Sequence, residues 1–127
     1  MSQSILEKLQ LAPAASFHLL EPKKAKRMNA KTMFVPSVDD VAKVIGAIGY
    51  GQTKTILELR RELAVLGNAQ TTCPFITIRY WKWLAQASQE APQMYQIPWW
   101  RVLKDGKPSP QMPGGVEQQM ALLEAEK

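Results

Sequence analysis

The sequence predicts a mainly α domain: a winged helix-turn-helix-like fold with a small β wing, behind a basic N-terminal arm. Three observations lead there. Two capped amphipathic helices are followed by a third that keeps cations and aromatics on its outward side. A short apolar run then meets an Asp-Gly turn. Finally, the charge is uneven: residues 1–32 hold six Lys and Arg against two Glu, whereas residues 33–127 hold ten against nine acids.

The whole chain has 127 residues, 46% apolar and 21% charged, the composition of one folded domain. No apolar run approaches the ~18 residues that span a bilayer. Met1 to Gln10 lack the basic-then-apolar layout of a secretory signal, so the reduced cytoplasm is the expected compartment. With one cysteine, Cys73, and one histidine, His18, neither an internal disulfide nor a zinc site is expected, and catalysis by a Ser-His-Asp or Cys-His set is disfavoured. No cofactor or metal is implied, and a monomer is expected.

Residues 1–32 read as a poorly ordered arm. It has one short amphipathic segment, Ile5–Leu11, and Pro13 and Pro22 interrupt anything longer. Its Lys-rich stretch, Lys23 to Lys31, suits nucleic acid, because neutralising phosphates releases counterions; a solvated tail is the plain alternative.

The folded part, residues 33–127, begins near Met33. Ser37 caps the first helix, with acids in its first turn and Val41, Val44, Ile45 and Ile48 forming one stripe. Gly49 and Gly51 end it. Thr55-Ile56-Leu57-Glu58 is a capping box opening the second helix, which runs to about Leu66 with Ile56, Leu59, Leu63 and Leu66 inward. Pro74 suits the first turn of the third helix, which runs to about Glu90. Phe75, Ile78, Trp81 and Ala85 are expected inward, Arg79, Lys82, Trp83 and Gln86 outward. Ile97–Leu103 and the turn Lys104-Asp105-Gly106-Lys107 make the wing. A closing helix then sets Val116, Met120 and Leu123 on the core. From pattern alone, an ordinary three-helix core is favoured over a DNA-binding helical pair, because helical pairs are so frequent.

Three stretches in this order carry a resemblance: Gly51-Gln52-Thr53-Lys54-Thr55 leading into Ile56-Leu57-Glu58-Leu59; Ile97-Pro98-Trp99-Trp100-Arg101-Val102; and Pro113-Gly114-Gly115 followed by Gln118 or Gln119 and Leu122-Leu123-Glu124-Ala125-Glu126. They are similar to segments of the DNA-binding domain of the methylguanine-DNA methyltransferases, and most of all to its non-enzymatic, alkyltransferase-like branch. The resemblance covers residues 33–127 and leaves the arm outside. In the enzymes the Ile-Pro-Cys-His-Arg-Val motif supplies the alkyl-accepting cysteine and a histidine that activates it. Here Trp99 and Trp100 stand at those places, and an indole offers no comparable nucleophile. Cys73 lies on a different element with no histidine near it in sequence, and a small half-buried residue is its plain reading.

The resemblance therefore implies a protein that binds double-stranded DNA, recognises alkylated guanine by flipping the nucleotide, and leaves removal to other repair proteins. It implies a lesion pocket of Ile56, Trp99, Trp100, Arg101, Val102, Pro113, Gly114 and Gly115. Trp99 would cover the flipped base, although core packing is the alternative for both tryptophans. Ile56 replaces the family's tyrosine. Lys82 falls where the family has the arginine that fills the vacated stack; Arg79, one turn earlier, could share that role. Thr55, Thr71 and Thr72 are candidate phosphate contacts. A winged-helix module that binds DNA or a protein without reading lesions is the competing expectation.

Overall fold

The computed structural model describes residues 4–127. Among them the architecture is mixed α/β, with roughly half of the residues helical. In chain order it runs α1 (Ile5–Leu11), β1 (Ser16–Leu19), α2 (Pro22–Met28), β2 (Thr32–Val35), α3 (Val38–Gly46), β3 (Lys54–Thr55), α4 (Ile56–Leu66), β4 (Thr71–Thr72), α5 (Pro74–Glu90), a 3₁₀ turn (Trp99–Arg101), β5 (Val102–Leu103) and α6 (Gly115–Glu124). No helix among the described residues is long and apolar enough to cross a membrane.

The expectation of a poorly ordered arm is corrected for residues 4–32; residues 1–3 of it lie outside the described residues. Ser4 caps α1 through its hydroxyl, which accepts from Glu7 N at 3.2 Å. Ile5 and Leu9, one turn apart, enter the main core beside α5. Pro22 starts α2 at its first position, where its missing N–H costs nothing, and Asn29 closes it in the left-handed conformation at φ 52°. β1 then pairs antiparallel with β2, with Phe17 opposite Phe34 and His18 opposite Met33. The Lys-rich segment has no core of its own, as its composition dictates, but it is anchored by a strand and by a helix on either side.

This segment also changes the fold class. β2 pairs parallel with β4, giving a three-stranded sheet in the order β1-β2-β4, so the molecule is not mainly α with a wing. Phe34 on that sheet packs flat against Gly67, where a Cβ would lie 2.2 Å from the ring. Only glycine lets α4 end that close to the sheet. Replacing Ile5 with alanine is expected to cost about 2–3 kcal/mol, read as a lower urea midpoint. An unchanged midpoint would mean that α1 is detached from the core.

The central helices form where their signals lie. Ser37–Asp40 and Thr55–Glu58 are both reciprocal capping boxes. Val41, Ile45, Ile48, Leu59 and Leu63 are buried, and Val44 packs against them. Leu66 is exposed and Ala64 is buried instead. On α5 the inward face is Thr77, Tyr80, Trp81, Leu84, Ala85 and Ala87. Trp81 and Ala85 are inside as expected, but Phe75 points out at 76% exposure. At about 100° per residue Phe75 falls on the side of α5 opposite Thr77, Trp81 and Leu84, the residues that centre the buried face. On α6, Met120 is half-exposed and the fully buried residue is Gln119.

The expected wing is reduced to its turn. β5 has two residues and pairs parallel with β3 rather than with a returning strand, Lys54 opposite Val102 and Thr55 opposite Leu103. Beyond it a single antiparallel bridge joins Lys104 to Lys107. Asp105 and Gly106 close the turn at φ 54° and 76°, the type I′ geometry that Asp-Gly favours. Pro108 and Pro110 follow at once and stop the return from pairing further.

Candidate nucleic-acid interface

The three stretches singled out in the sequence, spread over more than half the chain, lie side by side. β3 and the start of α4 join the Trp99–Val102 segment through the β3–β5 pair. Gln119 joins that segment to α6. It is fully buried; its Nε2 donates to the carbonyls of Trp100 at 3.0 Å and Val102 at 2.8 Å, and its Oε1 accepts from Ser109 N at 2.9 Å. A buried amide with all three contacts made fixes the segments against each other. Gly114 and Gly115, at φ 76° and 71°, make the tight bend into α6 that no residue with a Cβ adopts readily.

Glu126 forms a second lock. Its carboxylate accepts from Arg101 Nη2 at 2.8 Å, Trp100 Nε1 at 2.8 Å and Gly51 N at 2.9 Å. Arg101 also donates to the Ile48 carbonyl at 2.8 Å and stacks on the rings of Trp100 and Tyr50. The Arg101 bonds, assisted by Gly51 and Trp100 and opposed by burial, hold the Glu126 carboxyl at about 2, from an ordinary 4.5.

The eight expected pocket residues do not line one pocket. Trp99 is 0% exposed, packed in the main core edge-on to Trp100, with its carbonyl accepting from Trp81 Nε1 at 3.0 Å. Its place is the core, so its ring has no free face to offer a base. Three of the eight, Trp99, Trp100 and Arg101, border one cavity of about 510 Å³ together with Tyr95 and Ile97. Trp100 and Arg101 are held by Glu126, which removes their polar groups from ligand duty. Val102 is fully buried. Pro113, Gly114 and Gly115 serve the bend and border neither this cavity nor the next.

Ile56 belongs to a different concavity, of about 410 Å³, where three elements converge. Thr55, Ile56, Leu57 and Arg60 come from the start of α4, Pro74 and Ile78 from the start of α5, and Lys104, Asp105 and Gly106 from the turn. Its walls are apolar. Arg60 and Lys104 supply positive charge there, and Asp105, next to Lys104 in the chain, adds a carboxylate. Sequence reasoning missed this set, because it depends on two helix starts and a turn meeting in space. The Asp-Gly signal located the turn but not its neighbours.

Of the phosphate candidates, Thr55 borders this concavity while capping α4. Thr72 is fully buried and donates to the Arg60 carbonyl at 2.7 Å, so it is not a surface contact. Thr71 Oγ1 accepts from Arg60 Nη2 at 3.3 Å. Neither caps α5; Cys73 does, without a side-chain bond. These threonines act instead on Arg60. Its Nε and Nη2 are both held by the Thr72 carbonyl at 3.1 Å, which aims the guanidinium along the concavity wall. Burial lowers its pKa, and it remains a cation at any physiological pH. Arg79 is exposed and Lys82 half-buried, both unpaired among the described residues, on the outward stripe of α5 one to two turns beyond Pro74 and Phe75. Lys82 follows Ile78 by one turn, so it lies past the concavity rather than in it.

Comparison with protein-family models, with curated proteins and with solved structures finds no match to this chain.

Proposed function

We propose that this protein binds duplex DNA without chemistry of its own, in the manner of the alkyltransferase-like proteins it resembles, and that alkylated guanine is the feature it reads. The observation that carries this reading is the concavity of Thr55, Ile56, Arg60, Ile78 and Lys104: apolar walls with cations beside them, between two helix starts and a turn. At about 410 Å³ it has room for a purine carrying an added alkyl group. In this reading α4 and α5 are the helical pair of a winged-helix variant and the Asp105-Gly106 turn is its wing. The base-receiving site is this concavity, not the Trp99 region. Arg79 and Lys82 extend the positive surface along α5 towards phosphates or the vacated stack. The juxtaposition of the three family-like stretches supports the reading as well.

A non-catalytic role rests on Trp99 and Trp100. Neither indole is a nucleophile, and Trp100 is bonded to a carboxylate rather than to a water. Cys73 borders a separate cleft. The bound complex would act as a flag for other repair proteins.

Titration of labelled duplexes with and without one O6-alkylguanine, at fixed salt, tests this. Tighter binding to the modified duplex by about tenfold is expected, since modification lowers the cost of unstacking. Both affinities should fall between 50 and 200 mM salt, with a slope of about −0.9 per phosphate contact. The sealed position of Trp99 favours a second reading, DNA binding without base extrusion. Equal affinity for the two duplexes would select it, and no binding to either at low salt would reject both.

A further inference from the structure

A second cleft lies on the other side of Pro74. It is about 440 Å³, formed by α2, β2 and the start of α5, with Met28, Met33, Pro74 and Phe75 as its apolar surface and Lys24 and Arg27 beside them. Phe75 is unusual for a residue of its size in being 76% exposed while standing on a long helix anchored in the core. α2 carries Lys23, Lys24, Lys26 and Arg27 with no acid inside the helix; Glu21 at its cap is the nearest carboxylate in sequence. None of these cations is in an ion pair among the described residues. Arg79 follows Phe75 by one turn and is exposed too.

We infer that this cleft binds an unstacked nucleotide of a DNA strand, its base stacked on Phe75 beside Met28 and its phosphates held by Lys24 and Arg27. An aromatic ring stacks on the π-face of a base, a polarisable thioether packs beside it, and a cation pair next to them fits the phosphate that every nucleotide carries. Charge decides against a second copy of this chain, which would bring the same four cations of α2 against themselves. Pro74 borders both this cleft and the Ile56 concavity, so the two lie next to each other. The inference deepens the proposed DNA reading and rests on it. The nucleotide can come from a single strand or from a duplex with an unpaired base.

Cys73 lines the cleft and is the chain's one cysteine, so its thiol reports occupancy. The full chain is reacted with a thiol reagent in the presence of a ten-nucleotide poly-dT strand, a paired duplex, or a duplex with one unpaired thymine. Binding of each is followed in parallel by anisotropy. Slower Cys73 reaction is expected with the single strand and the unpaired duplex. Phe75→Ala should weaken single-strand binding about tenfold, the loss typical of one base–aromatic stack. Phe75→Trp should restore it, and Lys24→Glu with Arg27→Glu should weaken it and flatten its salt dependence.

If the paired duplex binds but the single strand and the unpaired duplex leave Cys73 unprotected, the cleft inference fails and the DNA reading survives. The inference also fails if Phe75→Ala binds as the wild type does. Protection by single strands with no affinity for any duplex would keep the cleft and remove the duplex reading. No affinity for any DNA overturns both. Protection that grows with protein concentration alone would show a second copy in the cleft and overturn the inference.

Discussion

Trp99→Ala is expected to lower unfolding stability by about 3–5 kcal/mol, the usual cost of emptying a buried Trp site. The indole is wholly enclosed and touches the core formed by α3, α4 and α5. Its removal leaves a cavity below Trp81, whose Nε1 bond to the Trp99 carbonyl fixes the α5–3₁₀ contact. Urea denaturation measures the loss. At a temperature where the variant is still folded, its affinity for duplex DNA should stay within about twofold of wild type, since interactions distant from a site add independently. The opposite pattern, full stability with a lost preference for alkylated guanine, would place the indole in a lesion pocket and overturn the core assignment. Phe at this position should recover most of the stability, because a ring refills most of the space.

Removal of the Glu126 carboxylate gives the second large effect. Glu126 and Arg101 are 6% and 14% exposed at their side chains, and their contact ties the C-terminal segment to the 3₁₀ turn and to Gly51. Glu126→Ala leaves the Arg101 guanidinium without its counter-charge, an expected loss of about 3 kcal/mol. The pH dependence follows from the carboxyl's low pKa, about 2 against an ordinary 4.5. The folded state favours the ionised form, so the stabilisation is complete above pH 4.5. It shrinks as pH falls from 4.5 towards 2 and is gone below that. Melting temperatures of wild type and Glu126→Ala, followed from pH 7 to pH 2, should therefore converge on the acid side. A gap that stays constant across this range would mean that packing, not the ion pair, holds the segment.

The capped helices were legible because their signals are local. A Ser or Thr with an acid three residues later satisfies orphan amides wherever it occurs, and α3, α4 and α5 all begin at the residues their caps or proline indicate. The Asp105-Gly106 turn was legible for the same reason, since left-handed φ values select those residues. The arm was not. β1 is four residues with no tight turn to announce it, and it exists because β2 offers an edge. Ile5 and Leu9 look like an isolated apolar pair until α5 covers them. Phe75 was misassigned because α5 has apolar residues all round, so periodicity alone did not fix which side meets the core.

The site divided in the same way. That position 99 carries an indole and no sulfur is written in the chain itself. What that tryptophan does instead was decided by packing: the same residue would serve as a pocket wall if its ring met solvent, and as a core residue when it is enclosed. By itself the sequence determined the helix starts, the turn, the uneven charge and the Trp99-Trp100 pair, all properties of residues and their near neighbours. The tertiary structure alone decided that the basic segment is anchored, that Arg101 is held by Glu126, and that Ile56 and Trp99 border different cavities. Those outcomes depend on which surfaces meet across tens of residues, and contact between distant segments is set by shape and burial, which no local pattern encodes.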